Sequence, residues 1–182
     1  MRRKTFDRIL TVMGALVTLI LVGAGSLLLW GSNYTTSEVH NQLASQKIYF
    51  PAANSPEIKA LPKADATLMK QYAGQLMTTG AQAEVWADHF IAVHLHEIGL
   101  TYDQASTLAR SNPTNTKYSA LESTVFQGTT LRSELLEAYG FSIFGTIAWI
   151  SSLVAFALAA VFLVLTVMGV IHYRTVSPTA EI

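Results

Sequence analysis

Two apolar runs without charged residues, 9–30 and 140–171, enclose a polar segment at residues 31–139. Each run has at least the roughly 20 residues that an α-helix needs to cross a bilayer. The second run exceeds one crossing, because a helix of this length covers about 48 Å against a hydrocarbon core of about 30 Å. Trp149 suits the outer interface, so that crossing is expected at 150–171. The pattern predicts a two-span transmembrane helical hairpin with five parts: a tail at 1–8, transmembrane helix 1 at 9–30, an external domain at 31–139, a long helix at 140–171 and a tail at 172–182.

The polar segment has the apolar periodicity of helices. From Ala64 to Ile98 there is no proline and apolar residues recur every three or four positions, which predicts one long helix that ends at Gly99. Thr101 and Gln104 have the spacing of a capping box, so a short helix is expected from there to about Arg110.

The rest of the polar segment predicts two further helices and one extended stretch. Asn112-Pro113 breaks the chain, a helix is expected at 115–126, and Gln127-Gly128 is expected to interrupt it. A new helix capped at 129–130 then runs into the second apolar run. Residues 46–51 alternate weakly and end on a proline, so they are expected to be extended. We identify no internal repeat. Because the rest of the polar segment is predicted to be helical, the expected fold class is all-α, with the loop forming one external helical-bundle domain.

Charge predicts the orientation of the hairpin. Arg2, Arg3, Lys4 and Arg8 precede the first run and Arg174 follows the second, whereas the enclosed segment has seven Lys/Arg against ten Asp/Glu. Cytoplasmic flanks are enriched in cations, so both termini are expected in the cytoplasm and the loop domain outside. The acidic balance of the loop excludes a nucleic-acid partner. Cysteine is absent, which excludes disulfides and thiolate metal sites.

The apolar run at 9–30 is expected to stay in place as an anchor. It is longer than the 7–15-residue core of a signal peptide, and no Ala-x-Ala cleavage site follows it.

One cluster of metal-ligand residue types occurs, with His89, His94, His96 and Glu97 as its members. On a helix, His94 and His96 are about 200° apart, and His89 lies about 10.5 Å along the axis from His96. Only His94 and Glu97 could chelate together, and further ligands would have to come from another helix, with His40 the available histidine. We therefore expect no metal and no cofactor, and keep the four residues as weak candidates.

Other side chains predict packing surfaces. Tyr72, Trp86 and Phe90 recur at helical spacing, which is typical of a core. Small residues at helix-packing intervals in the second span predict a face for a partner helix: Ser151, Ala155 and Ala159. An apolar stretch is expected above the membrane on the same helix and needs cover from the loop domain or another protein: Phe141, Phe144 and Ile147.

Three functions fit these observations. The favoured one is a non-catalytic accessory subunit, which binds the lipid bilayer and other integral membrane subunits of a larger complex. The first alternative is a ligand-sensing ectodomain that acts through a partner, since the tails at 1–8 and 174–182 are too short for a signalling module. The second alternative is a metal-dependent enzyme that uses the region from His89 to His96.

Three segments also resemble a family of actinobacterial two-span membrane proteins: QKIYFP at 46–51, YAGQLMTTGAQAEVWADHFI at 72–91 and QGTTLR at 127–132. Members of that family include an association factor of the cytochrome bcc–aa3 respiratory supercomplex, and some members are labelled aromatic ring-opening dioxygenases. The resemblance implies a place in the bacterial cell membrane beside respiratory subunits. The dioxygenase label implies an iron site, which the histidine spacings do not support.

Overall fold

The computed structural model describes residues 3–175 and residue 177, and these residues are nearly all helical. Arg2 and most of the tail after Thr175 lie outside the described residues. The all-α fold class is confirmed. The described residues form seven α-helices and one π-helical segment: α1 Arg3–Gln46, α2 Pro56–Ala60, α3 Lys63–Lys70, α4 Gly80–Trp86, the π segment Ala87–Ile91, α5 Ala92–Ile98, α6 Tyr102–Ser111 and α7 Thr116–Thr175.

The chain divides into two compact units. The terminal unit combines Met1–Tyr34 with Gly145–Ile182, and the middle unit is Thr35–Phe144. The two long helices, α1 and α7, each contribute to both units. Both are long and apolar enough to cross a membrane, judged by length and composition. Membrane association is therefore supported for the chain.

The middle unit surrounds one apolar core. Buried side chains from four different parts of the unit meet in it: Ile58 in α2, Met69 in α3, Met77 before α4 and Leu135 in α7. The predicted end of a helix at Gly99 is confirmed, because this glycine has a φ of 70°. The capping box of α6 is also confirmed, with Thr101 accepting from the backbone N–H of Gln104.

The single helix predicted from Ala64 to Ile98 is wrong over residues 71–79. α3 ends at Lys70, and Gly74 adopts a φ of 73°, a conformation that glycine reaches without strain. The backbone then runs extended and pairs with residues 48–50, with Tyr49 opposite Leu76. The predicted extended stretch at 46–51 is thus confirmed for residues 48–50, whereas Gln46 still belongs to α1 and Lys47 has a φ of 54°. The helix breaks at 71–79 because its backbone groups hydrogen-bond to residues 48–50 instead.

The interruption predicted at Gln127-Gly128 is wrong as well, since α7 continues through both residues. Gly128 serves packing here: an added Cβ would lie 2.9 Å from Cδ2 of Leu95. The hydroxyl of Thr129 donates to the carbonyl oxygen of Val125 at 2.7 Å, inside the helix, so it caps no new helix.

Candidate functional site

The four candidate metal ligands do not converge. His89 contacts Asp65 of α3, with 2.7 Å between Nδ1 and Oδ1. Nδ1 of His94 lies 2.7 Å from the carbonyl oxygen of Phe90, and His94, His96 and Glu97 are all exposed. Within the described part of the chain, no three His, Cys, Asp or Glu side chains form a group that could hold a metal ion.

The π segment Ala87–Ile91 directs two neighbouring side chains to different helices. Asp88 reaches α7, where its Oδ1 lies 2.6 Å from Nη2 of Arg132, and His89 reaches Asp65 in α3. A π segment widens the helix by one residue per turn and is frequent at functional sites. Sequence reasoning missed both pairs, because helical periodicity gives no sign of a π segment.

The predicted core role of Tyr72, Trp86 and Phe90 is confirmed in part, because these half-buried rings pack against the core. Trp86 packs edge-on against Phe50 at 5.0 Å between ring centroids and lies 4.9 Å from Phe90. The ring of His94 continues this row at 4.6 Å from Phe90. Phe50 also meets Tyr72 at 5.3 Å. The row extends from Phe50 in the extended stretch to the exposed His94 of α5.

The face predicted for a partner helix is covered within the terminal unit. Ala155 and Ala159 are buried there, and Ser152, rather than the half-buried Ser151, continues their row. Close approach of the two helices accounts for the burial: a Cβ added to Gly25 of α1 would lie 3.0 Å from the ring of Phe156. Ala155 and Ala159 therefore lie buried where α1 and α7 approach each other, and their use by a helix of another subunit stays a prediction.

A repeat missed in the sequence lies at the opposite end of the same unit. The pentapeptide Leu-Thr-Val-Met-Gly occurs at 10–14 in α1 and again at 165–169 in α7, so the expectation of no internal repeat is wrong. A Cβ added to Gly14 would lie 2.5 Å from Oγ1 of Thr166, and one added to Gly169 would lie 2.8 Å from Oγ1 of Thr11. Each copy thus presents its threonine to the glycine of the other copy. Comparing the two apolar runs with each other would have revealed the repeat.

A cavity of about 850 Å³ adjoins this contact within the terminal unit. Both pentapeptides line it with the same four positions, namely leucine, threonine, methionine and glycine. Asp7 and His172 also line it, with 3.8 Å between Oδ2 and Nε2. The hydroxyl oxygens of Thr11 and Thr166 are buried and have no hydrogen-bond partner among the described residues.

The predicted apolar stretch of α7 is exposed in the structure. Phe141 and Phe144, in the middle unit, are 52% and 69% exposed. Ile147, in the terminal unit, is 54% exposed. The middle unit therefore leaves its two phenylalanines uncovered.

Comparison with protein-family models, curated proteins and solved structures finds no match to this chain. The geometry of its own side chains is the basis for the function that follows.

Proposed function

We propose that this chain is a non-catalytic accessory subunit of a larger bacterial membrane complex. The observation that carries the proposal is the exposure of Phe141 and Phe144 on a rigid helix of the middle unit. Aromatic side chains on a fixed scaffold are the residues that protein interfaces favour as binding anchors. A subunit that docks on these two rings would bury them and leave the core of the middle unit unchanged.

The membrane arrangement in this proposal is a hairpin, with α1 and α7 crossing the bilayer and the middle unit outside. Within the terminal unit, the start of α1 lies beside the end of α7: Nζ of Lys4 is 5.6 Å from the ring centroid of Tyr173. Arg8 and Arg174 add cations at this same end. Because cations favour the cytoplasmic side, we place this end in the cytoplasm.

The partner we propose is the respiratory supercomplex that the sequence resemblance implies. The exposure of Phe141 and Phe144 supports a contact at these two rings, but their chemistry does not select one complex over another. The ligand-sensing and metal-dependent alternatives have less support, because His89 and His94 already bind Asp65 and the Phe90 carbonyl.

The test is co-purification from the native membrane in a mild detergent, followed by native-gel migration and identification of the subunits in the band. The double variant Phe141→Ser/Phe144→Ser is expected to lose the large band and migrate alone. Leu131→Ser is the matched control, because Leu131 is also exposed on α7 but lies about 15–20 Å from the two rings, towards the start of the helix.

The proposal fails if the wild-type chain migrates alone, or if the serine variants keep the large band as Leu131→Ser does. A large band without cytochrome subunits would retain the accessory role and reject the respiratory partner. Reporter fusions near Pro56 and at Ile182 test the hairpin separately, and a cytoplasmic reporter at Pro56 would contradict it.

A further inference from the structure

The cavity of the terminal unit has one polar end and apolar walls. Its walls come from the two copies of the repeated pentapeptide and from neighbouring apolar residues of α1 and α7. Its polar end is formed by Asp7, His172 and Thr175, next to the cationic flank. A volume of about 850 Å³ lies within the range of about 300–1,000 Å³ that small-ligand pockets occupy.

Asp7 is the acidic residue of the cavity, and one of its carboxylate oxygens lacks a hydrogen-bond partner among the described residues. Its side chain is only 12% exposed, and its Oδ2 atom has no hydrogen-bond partner among residues 3–175 and 177. Nε2 of His172 approaches Oδ2 to 3.8 Å, which is too long for a hydrogen bond. A buried carboxylate oxygen without a donor is costly, so a ligand that brings an N–H group gains a charge-assisted hydrogen bond here.

We propose that this cavity binds one phospholipid whose headgroup carries a primary ammonium, with the ammonium on Asp7 and an acyl chain along the repeated pentapeptides. The depth fits, because Asp7 and His172 flank the apolar runs at the level of lipid headgroups. The charges fit as well, because Lys4 and Arg8 lie within one helical turn of Asp7 and suit the phosphate of the same headgroup. The inference rests on α1 and α7 crossing the bilayer, but not on the identity of any partner subunit.

The headgroup class follows from hydrogen-bond chemistry. A primary ammonium has three N–H donors, whereas the quaternary ammonium of a choline headgroup has none and a glycerol headgroup carries no cation. The carboxylate of Asp7 should therefore bind an ethanolamine headgroup most tightly, a choline headgroup less tightly and a glycerol headgroup least tightly. A lysine side chain of a partner protein presents the same ammonium, and the experiment separates that source by using the isolated chain.

The experiment is native mass spectrometry of the purified full chain in detergent, titrated with phosphatidylethanolamine, phosphatidylcholine or phosphatidylglycerol with identical acyl chains. We expect one lipid per chain and about a tenfold preference for ethanolamine over choline, which corresponds to about 1.4 kcal/mol. Asp7→Asn is expected to remove most of that preference. Asp103→Asn is the control, since it removes the same charge at an exposed position of α6.

A second pair of variants tests the cavity itself and keeps the proposal falsifiable if Asp7→Asn folds poorly. Met168 lines the cavity and Val167 does not, although both are exposed on α7. Met168→Trp is therefore expected to weaken binding of all three lipids, and Val167→Trp to leave it unchanged.

Equal binding of the ethanolamine and choline lipids would overturn the proposal, as would a preference that survives Asp7→Asn. If the isolated chain shows no preference but Asp7→Asn abolishes co-purification with a complex, the donor is a protein side chain and the lipid site is rejected. A lipid preference in a chain that migrates alone would uphold this site and reject the accessory-subunit role.

Discussion

Replacing Gly14 by alanine should weaken the contact between the two long helices. The new Cβ would lie 2.5 Å from Oγ1 of Thr166, a distance that real Cβ atoms do not tolerate, so the Thr166 side chain or one of the helices must shift. Overpacking of this kind costs about 1–3 kcal/mol. Alanine's higher helix propensity offsets up to about 1 kcal/mol of that cost. We expect a net loss of about 1–2 kcal/mol in the free energy of unfolding of the terminal unit.

Two further variants identify the clash as the cause. Gly23→Ala is the matched control in the same helix, because nothing lies within 4 Å of its added Cβ and only the propensity gain remains. In Gly14→Ala/Thr166→Ala the offending oxygen is gone, and the nearest remaining atom would be Cβ of residue 166 at 3.7 Å, an ordinary contact. The double variant should therefore recover at least about 1 kcal/mol relative to the sum of the single changes.

The assay is equilibrium unfolding by SDS in mixed micelles, followed by the intrinsic fluorescence of Trp30 and Trp149 in the terminal unit. Trp86 of the middle unit also fluoresces, so hydrogen exchange resolved by peptide assigns the loss to α1 and α7. If Gly14→Ala is as stable as Gly23→Ala, the contact between Gly14 and Thr166 is refuted. It is also refuted if adding Thr166→Ala to Gly14→Ala fails to restore stability.

Three other outcomes are expected. Thr11→Cys/Gly169→Cys should form an intramolecular disulfide on mild oxidation, read from gel mobility, because 3.8 Å between the two Cβ positions is the mean for disulfides. Gly80→Ala should lower the stability of the middle unit by about 1–3 kcal/mol in denaturant titrations, because its Cβ would enter α7. Asp88→Ala should cost about 1 kcal/mol in the same titrations, and less at high salt, because it removes the half-exposed pair with Arg132.

Each of these variants has a control in the chain. Gly23→Cys with Gly169→Cys should stay reduced, and Gly140→Ala should not destabilise α7, because both Gly23 and Gly140 have open space beside them. Asp103→Ala, at an exposed site, should leave stability within about 0.5 kcal/mol of wild type. A disulfide in the Gly23 pair, or equal losses in the test and control alanine variants, would contradict the packing described here.

The sequence was sufficient for features that depend on local chemistry. Gly99 and the Thr101 capping box ended and opened helices as expected, since such signals act within one turn. The break at residues 71–79 was not predictable in this way, because it depends on pairing with residues 48–50, some 25 positions earlier. The sequence around Gly128 indicated a helix break, but in the structure this glycine is a packing position. Only its contact with Leu95, which is distant in the sequence, distinguishes the two roles.

The candidate sites also include features that the sequence alone could predict and features that it could not. The exposure of Phe141 and Phe144 followed from the position of an apolar stretch beyond Trp149, and the structure leaves both rings exposed. The assignment of Ala155 and Ala159 to a partner helix stays a prediction, because small residues predict a close neighbour without identifying it. Both residues are already buried within the terminal unit.

The identity of the two pentapeptides also bears on which helices can pair between copies of the protein. Thr11 faces Gly169 and Gly14 faces Thr166, so the contact needs two helices that run in opposite directions. In water, two α1 helices could satisfy that geometry, because one copy is free to lie antiparallel to the other. In the membrane arrangement proposed here, every α1 crosses in one direction, so α1 cannot make this contact with another α1, nor α7 with another α7. The fixed direction of membrane insertion thus supplies the pairing specificity that two identical motifs lack. If two copies of the protein exchange helices, this contact can only join α1 of one chain to α7 of the other.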